Sequence, residues 1–324
     1  MQIFDTHIHA IKTGLENLSI PQNPENLYAP LRYTLSMEGK LIRPLLTFLA
    51  ADLFGFKDAE KILPAALAIE CFHNFTLLHD DIMDSAELRR GQLPVYKKWS
   101  PNIAILSGDV LMIKAYEQLA KSPTDHIPNL LKVMNRIAIE VCEGQQYDMD
   151  FENRESITEA EYLDMIRLKT SVLLGGALEM GAILAEAEPE EQHLIRELGT
   201  SLGLAFQLQD DILDTYGESA SVGKQIGGDI IENKKTILLV HLLNHISEAD
   251  KNKLTALLHH EKEEATKIKE IKILYEKYEV LKNATDLKIK FTQKALKQLE
   301  SIRTGEENKN SLRKIVNNLL NRQS

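Results

Sequence analysis

The sequence has 324 residues, of which 44% are hydrophobic and 27% are charged, and its formal net charge is −10. A chain of this length and apolar content can bury a large core. The negative charge argues against broad binding to nucleic acids or anionic membranes, because both require a positive field on the protein.

The N-terminal segment and the cysteines indicate the cellular compartment in which we expect the protein. Residues 1–18 lack a basic head followed by an apolar run, so they do not match a targeting sequence. Cys71 and Cys142 lie in apolar helical surroundings, so we interpret both as core residues and expect no disulfide framework. We therefore expect a cytoplasmic protein.

Apolar residues recur at helical spacing along nearly the whole chain, and alternating strand-like runs are absent. Pro44 should open a helix that runs to about Gly55. Pro64 should open a second helix, through Asp84, that is apolar almost all round. A helix of this kind lies in the centre of a fold. The predicted fold class is all-α.

Two more helices are predicted further along the chain. Thr158 and Glu161 form a capping-box pattern, which predicts a long helix to about Ala187. Pro189 occupies a typical first helical position, and the helix that it begins should end near Gly217.

Two polar segments, Ser85 to Ser100 and Tyr216 to Lys235, break the helical pattern. Each follows an aspartate cluster, so each should lie at the mouth of the site that the aspartates build. From about Ser247 the chain is charged amphipathic helix without chemical motifs. Repeats, low-complexity tracts and linkers are absent from the sequence, which favours a single domain over residues 1–324.

The same acidic pattern occurs twice, as DDIMD and as DDILD. Helical residues i and i+4 share a face, so the outer carboxylates of each motif lie close together and require a compensating cation. Hard oxygen ligands select Mg²⁺, which shares its shell with substrate phosphates. A solvated acidic face is the simpler alternative, but two copies, each followed by a basic glycine-containing loop, disfavour it. The candidate metal ligands are Asp80, Asp81, Asp84, Asp210, Asp211 and Asp214.

Basic side chains accompany both motifs. A diphosphate needs cationic donors opposite the metal ions, although a single lysine or arginine is more often only a surface charge. His73 lies two helical turns before Asp80 on the same side of the helix, where a lone core histidine is usually a satisfied hydrogen-bonding group. The basic candidates are Lys40, Arg43, Arg89, Arg90, Lys224, Lys234 and Lys235.

These motifs resemble those of the trans-prenyl diphosphate synthases, the family of farnesyl and geranylgeranyl diphosphate synthases. The resemblance spans about Leu31 to Leu243, in order and in spacing. The matching segments are GKLIRP at Gly39 to Pro44, HNFTLLHDDIMDSAELRRG at His73 to Gly91, the pair Lys169 and Thr170, FQLQDDILD at Phe206 to Asp214, and GKQIGGDIIENKKT at Gly223 to Thr236. The resemblance implies a magnesium-dependent prenyltransferase that extends an allylic diphosphate with isopentenyl diphosphate.

The resemblance also implies a fold and an assembly. The fold would be an antiparallel helical bundle around a deep apolar cavity, the isoprenoid synthase fold, with the two aspartate motifs facing each other across its mouth. The assembly would be a homodimer. The allylic primer, whether dimethylallyl, geranyl or farnesyl diphosphate, stays open.

Residue roles follow from the same resemblance. The main ligands of three Mg²⁺ ions would be Asp80, Asp84 and Asp210, supported by Asp81, Asp211 and Asp214. The allylic diphosphate would be bound by Arg89, Lys169 and Lys224, with Lys234 in the same basic loop. The isopentenyl diphosphate would be bound by Lys40, Arg43, His73 and Arg90. The reacting carbons would be faced by Thr170 and Gln207.

Product length in this family depends on side-chain bulk just before the first aspartate motif. Phe75 lies five residues before Asp80, the neighbouring Thr76 is small, and Phe72 adds bulk one turn further back. A single aromatic there resembles geranylgeranyl synthases more than farnesyl synthases, which have two adjacent aromatics. We expect geranylgeranyl diphosphate, with farnesyl diphosphate as the alternative product and core packing as the alternative role of Phe75.

Some motifs also allow an interpretation as a protein of another class. The pairs Glu70 with His73 and Glu190 with His193 have the ExxH spacing of di-iron carboxylate bundles. However, Glu190 lies in the first turn of a helix, where a carboxylate is expected anyway, and the basic loops would have no role.

The segment DTHIH at Asp5 to His9 is similar to the HxH metal site of amidohydrolase barrels, but the strands of a barrel are missing. A terpene cyclase would not need the second DDxxD.

Overall fold

The structure, a computed structural model, describes residues 2–217, 227–259 and 263–320. Within these ranges every regular element is a helix, apart from an isolated bridge between Arg89 and Gln92. The predicted all-α fold class is confirmed.

The helices are numbered in chain order. Their bounds are α1 (Gln2–Glu16), α2 (Glu25–Ser36), α3 (Ile42–Leu53), α4 (Ala59–Met83), α5 (Val95–Lys98), α6 (Pro101–Leu119), a 3₁₀ turn (Thr124–His126), α7 (Ile127–Glu152), α8 (Glu159–Ile166), a π-helical turn (Arg167–Ser171), α9 (Val172–Leu184), α10 (Pro189–Tyr216), α11 (Gly228–Ile231), α12 (Ile237–His245), α13 (Glu248–His259), α14 (Glu264–Lys277), α15 (Val280–Ser301) and α16 (Glu306–Leu320).

Two helix starts are those that the sequence predicts. Thr158 caps α8 in a reciprocal capping box: its hydroxyl accepts the Glu161 N–H at 3.2 Å, and the Glu161 carboxylate accepts the Thr158 N–H at 2.7 Å. Helix α10 begins at Pro189. Both signals act through backbone N–H groups that have no partner inside the helix.

Other boundaries differ from the prediction. Helix α4 begins at Ala59 rather than at Pro64, because the Asp58 side chain accepts the Lys61 N–H at 3.3 Å and caps the helix earlier. The long helix predicted after Thr158 is interrupted by the π-helical turn. Such turns are rare, and those that are found frequently lie at functional sites.

The chain forms two compact units. Unit 1 comprises Met1–Asn135, Gly176–Arg196 and Arg303–Leu312. Unit 2 comprises Arg136–Gly175, Glu197–Ile302 and Arg313–Ser324. The single domain over residues 1–324 stays a prediction.

Helix α4 is the central helix of unit 1, where it packs against α1, α3 and α6. The approach to α6 is close at Gly108, where a Cβ atom would lie 2.5 Å from Nε2 of His79. By length and composition α4 could cross a membrane, but 61% of its apolar window is buried, which is typical of a core helix. The prediction of a central helix is therefore correct in unit 1.

The N-terminal segment of unit 1 is helical and packed. His7 in α1 lies 2.7 Å from Oδ2 of Asp52 in α3, and its ring stacks on Phe48. The similarity of this segment to the metal site of amidohydrolase barrels is therefore not reflected in the structure, since His7 contacts Asp52 and Phe48 of α3.

One predicted core residue lies at the surface. Cys71 is buried, but Cys142 is exposed. The prediction that both are core residues is wrong for Cys142, because α7 is amphipathic and turns that side chain away from the core of unit 2.

Unit 2 has its own hydrophobic core, built from α8, α10 and the helices after residue 236. Its buried side chains include Tyr162, Leu208, Ile237, Ile271 and Tyr275. The C-terminal amphipathic helices α14 and α15 therefore support the elements that carry the second aspartate motif.

Candidate active site

The first aspartate motif lies at the C-terminal end of α4 in unit 1. The helix ends at Met83, and the Asp84 N–H donates to the Asp80 carbonyl at 2.8 Å. Asp84 is exposed and Asp80 is half-buried, whereas only 3% of Asp81 is exposed. The i, i+4 pair is thus more exposed than the residue between, which is turned into the protein.

Asp81 is held by an arginine of the following segment. The Arg89 Nε donates to Oδ1 of Asp81 at 2.7 Å. Removing either partner would leave a charge without its counterion in a desolvated place. Asp81 therefore anchors the segment that carries Arg89 and Arg90.

A basic cluster lies beside this motif, also in unit 1. The Arg43 Nη1 donates to Nε2 of His73 at 3.1 Å, so this nitrogen is the acceptor of a neutral ring. Burial and the guanidinium of Arg43 lower the pKa of His73 well below its usual value. Arg90 lies over Gly39 and donates to the Met37 carbonyl at 3.2 Å, and Lys40 is exposed. These groups can bind an anion without a proton transfer.

The ExxH pairs do not build a di-iron site. Glu70 is buried and accepts a hydrogen bond from Asn74 at 3.0 Å, and burial raises the pKa of its carboxyl. The Glu190 side chain is 83% exposed and pairs with Arg303. One carboxyl is thus buried on Asn74 and the other is paired with Arg303 at the surface, an arrangement that does not resemble a di-iron site.

Of the predicted chain-length residues, Phe75 lies on the face of α4 that meets α6. The Phe75 ring is 5.5 Å from the Phe72 ring and 4.7 Å from the His79 ring, measured between centroids. Phe72 is fully buried and Phe75 is half-buried, opposite Gly108. The Thr76 hydroxyl donates to the His73 carbonyl at 2.8 Å. This arrangement is compatible with either role of Phe75, as the residue that limits product length or as ordinary core packing.

The second aspartate motif lines a cavity of about 300 Å³ in unit 2. The helices α7, α8 and α10, the π-helical turn and the segment after residue 227 all contribute to it. Its polar lining consists of Asp148, Tyr162, Lys169, Thr170, Gln207, Asp210, Asp211, Asp214, Asp229, Lys234, Lys235 and Thr236. The carboxylates and ammonium groups suit a metal-bound diphosphate.

The π-helical turn presents Lys169 and Thr170 to this cavity. Two glycines allow close packing against it: a Cβ at Gly144 in α7 would lie 2.2 Å from the Lys169 backbone nitrogen. A Cβ at Gly203 in α10 would lie 2.5 Å from Cα of Ser171. The Lys169 ammonium donates to Asp148 at 2.6 Å. The turn is thus fixed from both sides.

Asp211 is a buried hub rather than an open ligand. Its Oδ2 accepts the Tyr162 hydroxyl and the Ile237 N–H, the latter at 3.1 Å, and its Oδ1 accepts the Gln207 amide at 3.2 Å. Burial and, secondly, the charge of Asp229 raise the pKa of Asp211 to about 7.

Asp214 holds the part of the basic segment that begins at Gly227. Its Oδ2 accepts the Asp229 N–H at 3.0 Å, and its carbonyl accepts the Gly227 N–H at 2.7 Å. Lys234 and Lys235 follow Asp229 and line the cavity. The predicted diphosphate ligand Lys224 lies outside the described residues.

The donor set fits the expected Mg²⁺. Carboxylates from Asp148, Asp210, Asp214 and Asp229 line one cavity with lysines. Among the described residues, no three His, Cys, Asp or Glu side chains form a closed cage for an ion. Mg²⁺ needs only one or two carboxylates when substrate phosphates and waters complete its shell.

Sequence reasoning missed Asp148, Tyr162 and Asp229 in this cavity. Tyr162 precedes Lys169 by seven residues, or two helical turns, which was a usable signal. Asp148 and Asp229 reach the cavity from other elements, so only the packing of α7 and α11 reveals them. The predicted roles of the aspartates and basic residues stay predictions.

Comparisons with known proteins identify the family of this chain. The family model described as Polyprenyl synthetase matches residues 24–275. A short chain isoprenyl diphosphate synthase from Methanocaldococcus jannaschii is 40% identical over 271 residues, 83% of this chain and 82% of the relative. A geranylgeranyl diphosphate synthase from Methanosarcina mazei is 41% identical over 71% of this chain and 72% of the relative. A crystal structure of a geranylgeranyl pyrophosphate synthase matches with a TM-score of 0.91 and 42% identity, covering 99% of this chain and 98% of the other.

Proposed function

This chain belongs to the polyprenyl synthetase family, and on that premise we propose that it is a short-chain trans-prenyl diphosphate synthase. The reaction condenses an allylic diphosphate with isopentenyl diphosphate and releases diphosphate. The cavity of unit 2 supports this proposal most directly, because it combines carboxylates, lysines and the hydrogen-bonded pair Thr170 and Gln207.

The first requirement is a leaving group whose negative charge is neutralised. Lys169 supplies one positive charge at a fixed place, because Asp148 orients its ammonium group. Three Mg²⁺ ions, when bound, would supply the remaining charge neutralisation. Their main ligands would be Asp80, Asp84 and Asp210, with Asp81, Asp211 and Asp214 in support. The burial of Asp81 and Asp211 is consistent with that supporting role.

The second requirement is protection of the allylic cation until the double bond of isopentenyl diphosphate attacks it. The Thr170 hydroxyl donates to Oε1 of Gln207 at 3.2 Å, so both oxygens lie at the cavity. Their dipoles would stabilise the cation. Exclusion of water prevents its capture as an alcohol.

The second substrate would be bound by the basic cluster of unit 1. Arg43, Arg90 and Lys40 would hold the diphosphate of isopentenyl diphosphate, and neutral His73 fixes Arg43. A substrate held in place reacts faster because the entropy of encounter is already lost. The departing diphosphate would take the final proton, so no side chain needs to act as a base.

We propose geranylgeranyl diphosphate as the main product. The single aromatic Phe75 before the first motif and the similarity to geranylgeranyl synthases both support this length. Farnesyl diphosphate is the alternative product.

We further propose a cytoplasmic homodimer. In support of the dimer, α6 carries apolar side chains that are exposed in the single chain: Ile105 (41%), Leu106 (57%) and Ile113 (66%). Light scattering on the purified protein tests the dimer, and Ile113→Asp should weaken it.

The function is tested with purified protein, Mg²⁺, labelled isopentenyl diphosphate and each short allylic diphosphate, with the products sized afterwards. We expect condensation, strongest to geranylgeranyl diphosphate, and its loss on addition of a chelator. Asp210→Ala should lower turnover at least about a hundredfold, since the loss of a charge-stabilising group typically costs that much. Near-normal turnover of this variant in excess Mg²⁺ would contradict the proposal. Asp150→Ala, an exposed residue of α7, is the control.

A further inference from the structure

A buried tyrosine makes direct contact with the hub of the unit 2 cavity. Tyr162 in α8 is 2% exposed, and its hydroxyl donates to Oδ2 of Asp211, which is 3% exposed. The same oxygen accepts the backbone N–H of Ile237 at the start of α12. Two donors from different elements therefore fix one end of the Asp211 carboxyl group.

The other end of this carboxyl group fixes a glutamine. Oδ1 of Asp211 accepts Nε2 of Gln207 at 3.2 Å, one helical turn back on α10. The amide oxygen of Gln207 must then point the other way, and it accepts the Thr170 hydroxyl at 3.2 Å. A continuous chain of hydrogen bonds thus runs from Tyr162 through Asp211 and Gln207 to Thr170.

The orientation of the Gln207 amide decides which end of its dipole faces the cavity. With its NH₂ group on Asp211, Gln207 presents oxygen, which attracts positive charge. With the amide reversed, it would present N–H groups, which repel positive charge. With Asp211 ionised, a reversed amide would also set two oxygens against each other at its carboxylate, which disfavours that state.

We propose that Tyr162 is a positioning residue, which holds Asp211 so that Gln207 turns its amide oxygen toward Thr170 and the cavity. This inference rests on the proposed function, since the group that benefits is the allylic cation of that reaction. Tyr162 does not touch the substrate in this view. Its ring is packed in the core of unit 2 and therefore fixes the position of the hydroxyl. Through Asp211, this fixes the orientation of the Gln207 amide.

The first test compares kcat with KM in Tyr162→Phe, which removes only the hydroxyl. We expect kcat to fall about tenfold, which corresponds to roughly 1.4 kcal/mol of transition-state stabilisation. The KM values for both diphosphates should stay within about twofold, because the lysines and aspartates are untouched. Tyr275→Phe, which removes another buried hydroxyl from the same core, should keep the wild-type kcat.

A double-mutant cycle separates positioning from general loosening. If Tyr162 acts through the glutamine, Tyr162→Phe should have no further effect on kcat in a Gln207→Leu background. The same loss of kcat in both backgrounds would overturn the inference. An unchanged kcat in Tyr162→Phe alone would also overturn it.

A binding measurement reports on the dipole without turnover. The probes are an ammonium analogue of the allylic cation that carries a diphosphate and its neutral isostere, titrated by calorimetry with Mg²⁺. We expect Tyr162→Phe to weaken the ammonium analogue about tenfold and to leave the neutral one unchanged. Equal weakening of both would show a merely structural role.

Two controls keep the outcomes distinct. If the wild-type protein makes no prenyl product, the proposed function fails, whereas wild-type turnover with an unaffected Tyr162→Phe variant refutes only this inference. If Tyr162→Phe does not fold, Asp211→Asn acts on the same link at equal volume. Its amide can face Gln207 with either oxygen or N–H, so the ammonium analogue should lose more affinity than the neutral one, which reports only on the shared diphosphate and Mg²⁺. A loss that is no larger for the ammonium analogue would overturn the inference.

Discussion

The Lys169 ammonium and the Asp148 carboxylate form an ion pair with 2.6 Å between Nζ and Oδ2. The two side chains are 19% and 17% exposed, so solvent screens this pair only in part. The lysine comes from the π-helical turn and the aspartate from α7. The pair therefore fixes a cationic group at the wall of the unit 2 cavity before any substrate arrives.

Asp148→Asn should raise the KM for the allylic diphosphate. Without the carboxylate the ammonium loses its charge-assisted partner and must be ordered by the substrate itself, which we expect to cost about tenfold in affinity. Steady-state kinetics with each substrate varied in turn measure this effect. Asp150→Asn is the matched control, because Asp150 lies on the exposed side of the same helix and bonds to Gln146. An unchanged KM for Asp148→Asn would show that Lys169 does not depend on the pair.

His73→Gln should reduce the loss of stability at low pH. The folded-state pKa of His73 is lowered, whereas in the unfolded chain it lies near about 6.5. Between these two values the unfolded state binds the proton and the folded state does not, so the free energy of unfolding falls as pH falls below about 6.5.

Urea unfolding at about pH 7.5 and about pH 5.5 measures this contribution, which amounts to at most about 1.4 kcal/mol per pH unit. The wild-type protein should lose more stability than His73→Gln between the two conditions. His9→Gln, which alters an exposed side chain of α1, should behave like the wild type. Equal losses in the wild type and in His73→Gln would mean that His73 does not stay neutral.

Gly144→Ala should lower both stability and turnover. The added Cβ would lie 2.2 Å from the Lys169 backbone nitrogen, so α7 or the π-helical turn must move. Overpacking of this kind costs about 1–3 kcal/mol, and the moved turn displaces Lys169 and Thr170. Thermal unfolding and kcat are the two measurements. Gly305→Ala, where a Cβ meets nothing within 4 Å, should leave both unchanged. A Gly144→Ala protein with wild-type kcat would show that the turn tolerates displacement.

Phe75→Ala should lengthen the product. If the ring, which lies between Phe72 and His79 on α4, forms the floor of the apolar cavity that the family resemblance implies, its removal opens space for at least one more isoprenyl unit. Chromatography of the dephosphorylated products gives their lengths. Phe291→Ala, which removes a partly buried aromatic from the core of unit 2, should keep the wild-type length. If Phe75→Ala gave the wild-type product, packing against α6 would be the only role of Phe75.

Local signals in the sequence determined the helices and most of the candidate residues. Apolar spacing, the capping box at Thr158 and the proline at 189 are short-range effects, so they are visible without a fold. The two aspartate motifs are likewise local, because helical geometry alone pairs their outer carboxylates. These features led to the all-α class and the family.

Tertiary packing alone decided how the members of each motif differ. Helical spacing pairs Asp210 with Asp214 but does not show what surrounds Asp211. Asp211 is buried under Tyr162 and Ile237 because α8 and α12 pack on that side of α10. Asp148 meets Lys169 only because a glycine in α7 lets two backbones touch. Burial and long-range hydrogen bonds depend on which helices meet, and the spacing of residues along one helix carries no information about that.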